Sequence, residues 1–297
     1  MRERAFTAGE PTPLAGVVTE PSEFDPDRSA VLILNSGVMH HVGSCRLSVK
    51  VARAIATRGM LAVRFDFSGI GDSDQRRSTE SFEITSRKEC SEVMDYVQRT
   101  RGTRRFIVFG LCSGADAAYN AALADDRVVA FAQIDGYCYV TPRYYFERYW
   151  PVVKDPSRWK RFLERRRRQL LNPSTMSPVD GVAEEFLELP AYRRVFPSRK
   201  EVASGLQRLV ERGVNMYINF TGGEPHYNYR DQFQDSFRKV NFGGLLRVDF
   251  YPGTNHIITQ AADQRMIVNN IATWAAGLNA VDWSAGEGPA LEQFRTA

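Results

Sequence analysis

Long apolar runs are missing from this chain of 297 residues. No stretch approaches the roughly 20 apolar residues that a membrane-crossing helix needs. The opening segment, MRERAFTAGEPTPLAG, carries no apolar signal core. Both absences point to a cytoplasmic protein with no membrane span. Cysteine is scarce: Cys45, Cys90, Cys112 and Cys138 are the only four, and none stand in C-x-x-C spacing. This argues against a zinc or thioredoxin-type site, and cytoplasmic thiols stay reduced. An excess of one charge is also lacking. The balance of 39 Lys and Arg against 35 Asp and Glu leaves +4, too mild to argue for nucleic acid as a partner. The phosphate-cradling motifs, G-x-G-x-x-G and the P-loop with its Lys-Ser/Thr, are absent too. No cofactor and no metal is therefore expected, and no internal repeat is visible.

What remains is an ordinary globular composition, 43% hydrophobic and 25% charged. A chain of this length buries about 75% of its unfolded surface, enough for a large core without disulfides. Short apolar or alternating runs predict strands near residues 5–7, 14–19, 31–35, 60–67, 105–109, 128–134, 215–220 and 246–251. Helical periodicity predicts helices over residues 47–56, 81–101, 200–212, about 229–239 and 263–276, with one more opening directly after the strand at 105–109. Strands alternating with helices imply an α/β protein. Its eight-stranded, mostly parallel sheet is flanked by helices on both faces. Residues 136–197 break the regularity, being rich in Tyr, Trp, Pro and Arg. They are expected to form a helical lid inserted after the sixth strand. The core then comprises residues 1–135 and 198–278, and residues 279–297 form a tail.

Parallel sheets place their sites at the carboxyl ends of strands. At one such end stands Gly110-Leu111-Cys112-Ser113-Gly114, a nucleophile-elbow pattern of the G-x-nucleophile-x-G kind. The bend strains its central residue, and small neighbours two positions away on either side relieve the clash. Only Cys112 has glycine at both. With Ser113 central, one neighbour would be Leu111. Cys112 is thus the candidate nucleophile, and Ser113 supplies a backbone N–H to an oxyanion hole. A buried structural cysteine in a Gly-rich turn is the plainer alternative.

His256, in YPGTNHIIT, follows the last strand and precedes the last helix. From there a base can reach across the sheet to Cys112. His40, His41 and His226 do not occupy that position. The third member of a triad is sought after the strand at 215–220, where Glu224 is the first choice. Asp135, after the strand at 128–134, is the alternative acid, and Asp231 is third. A second oxyanion donor is expected from the loop Ser36-Gly37-Val38-Met39, with Val38 as the donor. Met39, His40, Tyr137 and Tyr145 are candidates to line the substrate space.

Taken with Arg64, Asp66, Gly69, Gly71 and Ser73, which resemble an R-x-D-x-x-G-x-G-x-S turn, these motifs resemble the α/β-hydrolase superfamily over nearly the whole chain. The resemblance implies an α/β-hydrolase fold and a hydrolase or acyltransferase. GLCSGA and the Y-x-Y-x-T-P-R-Y-Y opening of the insert look like hydrolases encoded beside exosortase and natural-product gene clusters. Cysteine at the elbow resembles dienelactone hydrolases and the acyl and aminoacyl shuttles of nonribosomal peptide assembly.

A cysteine acyl-enzyme is a thioester, so exchange with another thioester is close to thermoneutral. This favours a cysteine-dependent acyl-thioester enzyme, a transferase or thioesterase, acting on an acyl-thioester or ester substrate. An acyl or peptidyl carrier protein is a candidate partner. It would be met by the basic run at residues 159–169 (WKRFLERRRRQ), whose plainer reading is a solvated helix face. The alternatives are a small ester or lactone hydrolase and a catalytically silent binding protein.

Overall fold

A strand of this chain must satisfy two demands: bury apolar side chains on both faces and saturate its backbone in the sheet. The computed structural model describes residues 1–76, 79–154 and 196–278, and in it eight strands form one sheet; the central strands meet both demands, whereas the two edge strands are paired on one side only. They are β1 (Arg2–Ala8), β2 (Leu14–Glu20), β3 (Ala30–Ile33), β4 (Ala62–Phe65), β5 (Phe106–Leu111), β6 (Val128–Ile134), β7 (Asn215–Thr221) and β8 (Leu246–Tyr251). The sheet runs β1-β2-β4-β3-β5-β6-β7-β8. β2 pairs antiparallel with both β1 and β4, and every other pairing is parallel.

β5 shows why the central strands read as unbroken apolar runs. Phe106 and Val108 enter one core, while Ile107, Phe109 and Leu111 enter the other. The first core is roofed by α2 (Phe82–Arg101), α3 (Ser113–Ala124) and α5 (Arg199–Glu211) through Val93, Tyr119 and Leu206. The second is roofed by α1 (Leu47–Ala56) and α7 (Ala261–Leu278) through Val51, Ile55 and Ile271. α4 (Pro142–Val153) follows β6, and the short α6 (Gln232–Ser236) follows β7. Among the described residues no helix is long and apolar enough to cross a membrane. Of the segment expected as a lid, residues 155–195 lie outside the described residues, and so do the basic run at 159–169 and the tail at 279–297.

Two differences from the sequence-based boundaries have a physical cause. The helix expected over residues 229–239 is reduced to the five residues of α6. Its buried polar side chains face the chain that leaves β6: the Gln232 amide and the Ser236 hydroxyl both donate to the Tyr139 carbonyl at 3.1 Å. Tertiary bonding sets its extent, and the local periodicity does not. β3 stops at Ile33 rather than residue 35 because Asn35 turns inward. Its amide donates to the Met39 carbonyl at 2.7 Å and to Asp66 Oδ1 at 2.8 Å, and its oxygen accepts the Phe67 N–H at 2.7 Å.

Asp66 anchors the turn after β4 and is fully buried. Besides Asn35 it accepts the His41 N–H at 2.5 Å, His41 Nδ1 at 2.7 Å and the Asp72 N–H at 3.1 Å. Burial favours its neutral form, but the hydrogen bonds from His41, Asn35 and Asp72 outweigh burial and lower its pKa. A carboxylate with a lowered pKa stabilises the fold above its unfolded value, and that stability is lost as the pH falls through the folded one. Asp66→Asn should therefore cost about 3–5 kcal/mol at neutral pH. In urea titrations against pH, the gap to the parent protein should close in acid. A gap of constant size from neutral to acid pH would contradict this account.

Candidate active site

Cys112 forms the junction between β5 and α3, with φ 56° and ψ −120°. Its N–H donates to the Ile134 carbonyl at 2.9 Å, so the β5–β6 pairing continues through the bend. Its carbonyl accepts the Ala115 N–H at 2.9 Å, so the helix begins at once. A positive φ is costly for a residue with a side chain, and only crowding on both sides holds it. A Cβ at Gly110 would stand 2.0 Å from the Gly114 carbonyl oxygen, and one at Gly114 would stand 2.3 Å from the Asn35 carbonyl oxygen. Leu111 is buried in the core. Cys112 is half-buried at the N-cap of α3, where the first-turn N–H groups lack helical partners and the helix dipole favours negative charge.

His256 comes from the loop between β8 and α7. That loop can approach only because the chain after β7 is Gly222-Gly223: a Cβ at Gly223 would lie 2.2 Å from the His256 nitrogen. The imidazole Nδ1 lies 2.7 Å from Asp135 Oδ2, and His256 is also hydrogen-bonded to Cys112. With Nδ1 engaged by the carboxylate, Nε2 is the ring nitrogen left for the thiol. Hydrogen bonds to Asp135 first and Cys112 second push the His256 pKa up to about 10, against the opposing effect of burial.

Asp135 is fully buried and has φ 52°, another strained position. It caps the end of β6 by gripping β7. Oδ1 accepts the Thr221 N–H and Oδ2 the Thr221 hydroxyl, each at 2.7 Å, while its own N–H donates to the Asn219 carbonyl at 2.9 Å. The first choice of acid from sequence, Glu224, is corrected here. Glu224 is buried beside the same loop, but its Oε1 accepts both the N–H and Nδ1 of His226 at 3.1 Å. The reason is local: a carboxylate two residues before His226 folds back on it. The third choice, Asp231, is exposed and 3.6 Å from Arg143. Nothing local in the sequence favours Asp135 over Glu224, because the positive φ and the Thr221 clamp are visible only in the fold.

The loop after β3 is fastened to the elbow. The Gly37 N–H donates to the Ser113 hydroxyl at 2.7 Å, and residues 36–39 close a turn through Met39 N–H to Ser36 carbonyl at 3.1 Å. Val38 sits at the tip of that turn, 54% exposed. Ser113 thus has its hydroxyl committed to the loop while its N–H opens α3. Among the substrate-lining candidates, Met39 is half-buried and Tyr145 exposed on α4. Tyr137 is corrected: it is buried, its ring edge-on to Tyr119 and Phe196 at 5.7 Å each. Aromatic packing makes it part of the core rather than a wall.

His40 stacks on His41 with centroids 3.8 Å apart and lies 3.0 Å from Asp72. The ligating atoms of His40, His41, Asp66 and Asp72 fall within 4.8 Å of one another, a set that could close on a cation. As they stand, the contacts are imidazole–carboxylate hydrogen bonds, and they tie the loop after β3 to the turn after β4.

No family model matches the sequence, and no curated protein sequence does. The fold is nevertheless shared with many solved structures. The α/β hydrolase GrgF from Penicillium sp. sh18 superposes with a TM-score of 0.57 at 14% identity, covering 94% of this chain and 99% of its own. Est1E from Butyrivibrio proteoclasticus, solved with ferulic acid, gives 0.56 at 12% identity, covering 93% and 100%. Proline iminopeptidase from Mycobacterium smegmatis gives 0.54 at 16% identity, covering 92% and 99%. The chain has the α/β-hydrolase fold.

Two outcomes follow from this geometry. A histidine with a raised pKa stabilises the fold fully below its unfolded value near 6.5, and that stability is lost as the pH rises through about 10. Asp135→Asn should therefore lower stability most between neutral and mildly acidic pH. In ring-nitrogen NMR the His256 titration should move down towards the free value; an unmoved titration would break the assignment. Gly223→Ala should leave the circular dichroism spectrum intact but displace the His256 loop, seen as altered chemical shifts of the imidazole.

Proposed function

We propose that the protein is a cysteine-dependent acyl-transfer enzyme acting on acyl thioesters through a covalent acyl-Cys112 intermediate. The observation that carries this reading is the hydrogen-bonded line from Cys112 through His256 to buried Asp135, with the sulfur on the strained bend. Ser113 is the competing nucleophile next door. Its hydroxyl is occupied by the Gly37 N–H, and its position in the first turn of α3 has no comparable strain.

In this mechanism the Cys112 proton passes to His256 Nε2, and the Asp135 carboxylate stabilises the imidazolium by holding its Nδ1–H. The sulfur attacks the acyl carbonyl carbon, and the Ser113 and Val38 N–H groups receive the developing oxyanion. The tetrahedral adduct collapses by breaking the bond to the leaving thiol, which takes its proton from His256. An acceptor thiol, amine, hydroxyl or water then gives its proton to His256 and attacks the acyl-Cys112 carbonyl. Collapse expels the Cys112 sulfur, which is reprotonated. Because the acyl-enzyme is itself a thioester, the first half-reaction costs little free energy, and the acyl group stays activated for the second.

Hydrolysis of small esters is the second reading. The His256 side chain is 35% exposed, so water can reach the base once an acyl group is in place. Est1E, one of the fold neighbours, is crystallised with ferulic acid.

Intact-mass spectrometry after mixing the full chain with an acyl thioester tests the proposal. The expected result is a single acyl adduct that disappears in Cys112→Ala, with His256→Ala slowing its formation by about 10²–10⁴-fold. Turnover at the parent rate in Cys112→Ala would overturn it. Rapid turnover of simple esters with no preference for thioesters would favour the second reading.

A further inference from the structure

We infer that the cavity between α4, α5 and the end of α6 is a phosphate-anchoring site for the acyl donor, so that the protein takes thioesters whose thiol arm ends in a phosphate group. This rests on the thioester reading above. The cavity has a volume of about 620 Å³ and is lined by Arg143, Arg199, Lys200, Arg238 and Lys239, against a single acid, Asp235. These residues come from three separate stretches of the sequence, and the fold gathers them.

The cations differ in how free they are. Arg143 is engaged by Glu147 at 3.2 Å and Asp231 at 3.6 Å and lies over the Tyr229 ring, and Arg238 pairs with Asp235 at 3.1 Å. Among the described residues no carboxylate lies within ion-pair distance of Arg199, Lys200 or Lys239, and all three are exposed. Unpaired like charges gathered around one concavity repel one another. An anion relieves that repulsion, and a phosphate with several acceptor oxygens does so best.

The backbone adds to this. α4 and α5 both begin at the cavity, with Pro142, Arg143, Arg199 and Lys200 among its lining. In each helix the third-residue amide is capped: Thr141 Oγ1 accepts the Tyr144 N–H at 3.1 Å, and Ser198 Oγ accepts the Glu201 N–H at 3.3 Å. In α4 the Arg143 N–H, and in α5 the Arg199 and Lys200 N–H groups, have no intrahelical partner, and each helix dipole favours negative charge there.

The place of the cavity links it to Cys112. Its wall includes Thr141 and Pro142, in the connection that leaves β6 past Asp135 and enters α4. Thr141 on the cavity wall is six residues beyond Asp135, so the two are at most about 21 Å apart along an extended chain. A long flexible arm with a phosphate at one end and a thioester at the other can span distances up to that limit. Such an arm occurs in coenzyme A, where the phosphate is part of a diphosphate, and on carrier proteins, where it is part of a phosphodiester. The shared phosphate, not the rest of either donor, is what the cavity would recognise.

Calorimetry on the full chain with coenzyme A and with pantetheine, the same arm without phosphates, tests the inference. Coenzyme A should bind at least tenfold more tightly than pantetheine. The triple variant Arg199→Ala/Lys200→Ala/Lys239→Ala should erase that difference with the circular dichroism spectrum and Cys112 alkylation rate unchanged. In a parallel arm, holo-acyl carrier protein should bind at least tenfold more tightly than its apo form if the donor is protein-borne, and the triple variant should erase that preference too. Preference in either arm, lost in the variant, supports the site and identifies the source. Equal binding in both arms, or a preference that survives the variant, overturns it. These measurements need no turnover, so an unreactive Cys112 would leave them standing, and a failed anchor would leave the Cys112 chemistry untouched.

Discussion

Three loops meet at Asn35, and the rest of the site depends on that meeting. Its side chain ends β3 and fastens the chain to Asp66 and Phe67 on one side and to Met39 on the other. Its carbonyl oxygen presses against Gly114 so closely that no side chain fits there. The bend at Cys112, the loop after β3 and the turn after β4 are therefore one rigid assembly. Each tie is a buried or half-buried hydrogen bond, strong where water is excluded and expensive to leave unmade. The strain at Cys112 is sustained because its surroundings are over-determined in this way.

A second assembly lies across the sheet. Asp135 locks the end of β6 to β7 through Thr221, and the β8 loop brings His256 down over Gly223. The two assemblies meet where the Cys112 N–H continues the sheet pairing onto the Ile134 carbonyl and where the imidazole meets the thiol. Asp135 stands at the end of the strand next to the one that leads into Cys112, and strand spacing fixes that separation. His256 reaches both from the loop after β8, held by Asp135 and by its close approach over Gly223.

Much of this was legible in the sequence, and what was not has a common cause. The strands and main helices follow from apolar runs and periodicity, because burial on both sheet faces leaves little choice of residue. Gly110 and Gly114 selected Cys112 over Ser113, because steric clash in a tight bend is a local matter of two neighbours. Position after a strand favours Glu224 over Asp135, although both stand at the correct edge. What separates them is a backbone φ of 52° at Asp135 and a partner, Thr221, 86 residues away in the chain. The five-residue α6 and the buried place of Tyr137 were likewise decided by contacts from distant segments. Local chemistry writes motifs plainly, whereas pairings across the sheet leave only faint marks in one sequence.

Asp135 and His256 are separated by 121 residues, and the long connection from β6 to β7 falls between them. Closing a loop costs little more as it lengthens, about 0.6 kcal/mol for each doubling. β6 and β7 are zipped together whatever the connection contains. That stretch can therefore be lengthened, shortened or replaced at little cost to the pairing that sets Asp135 beside His256.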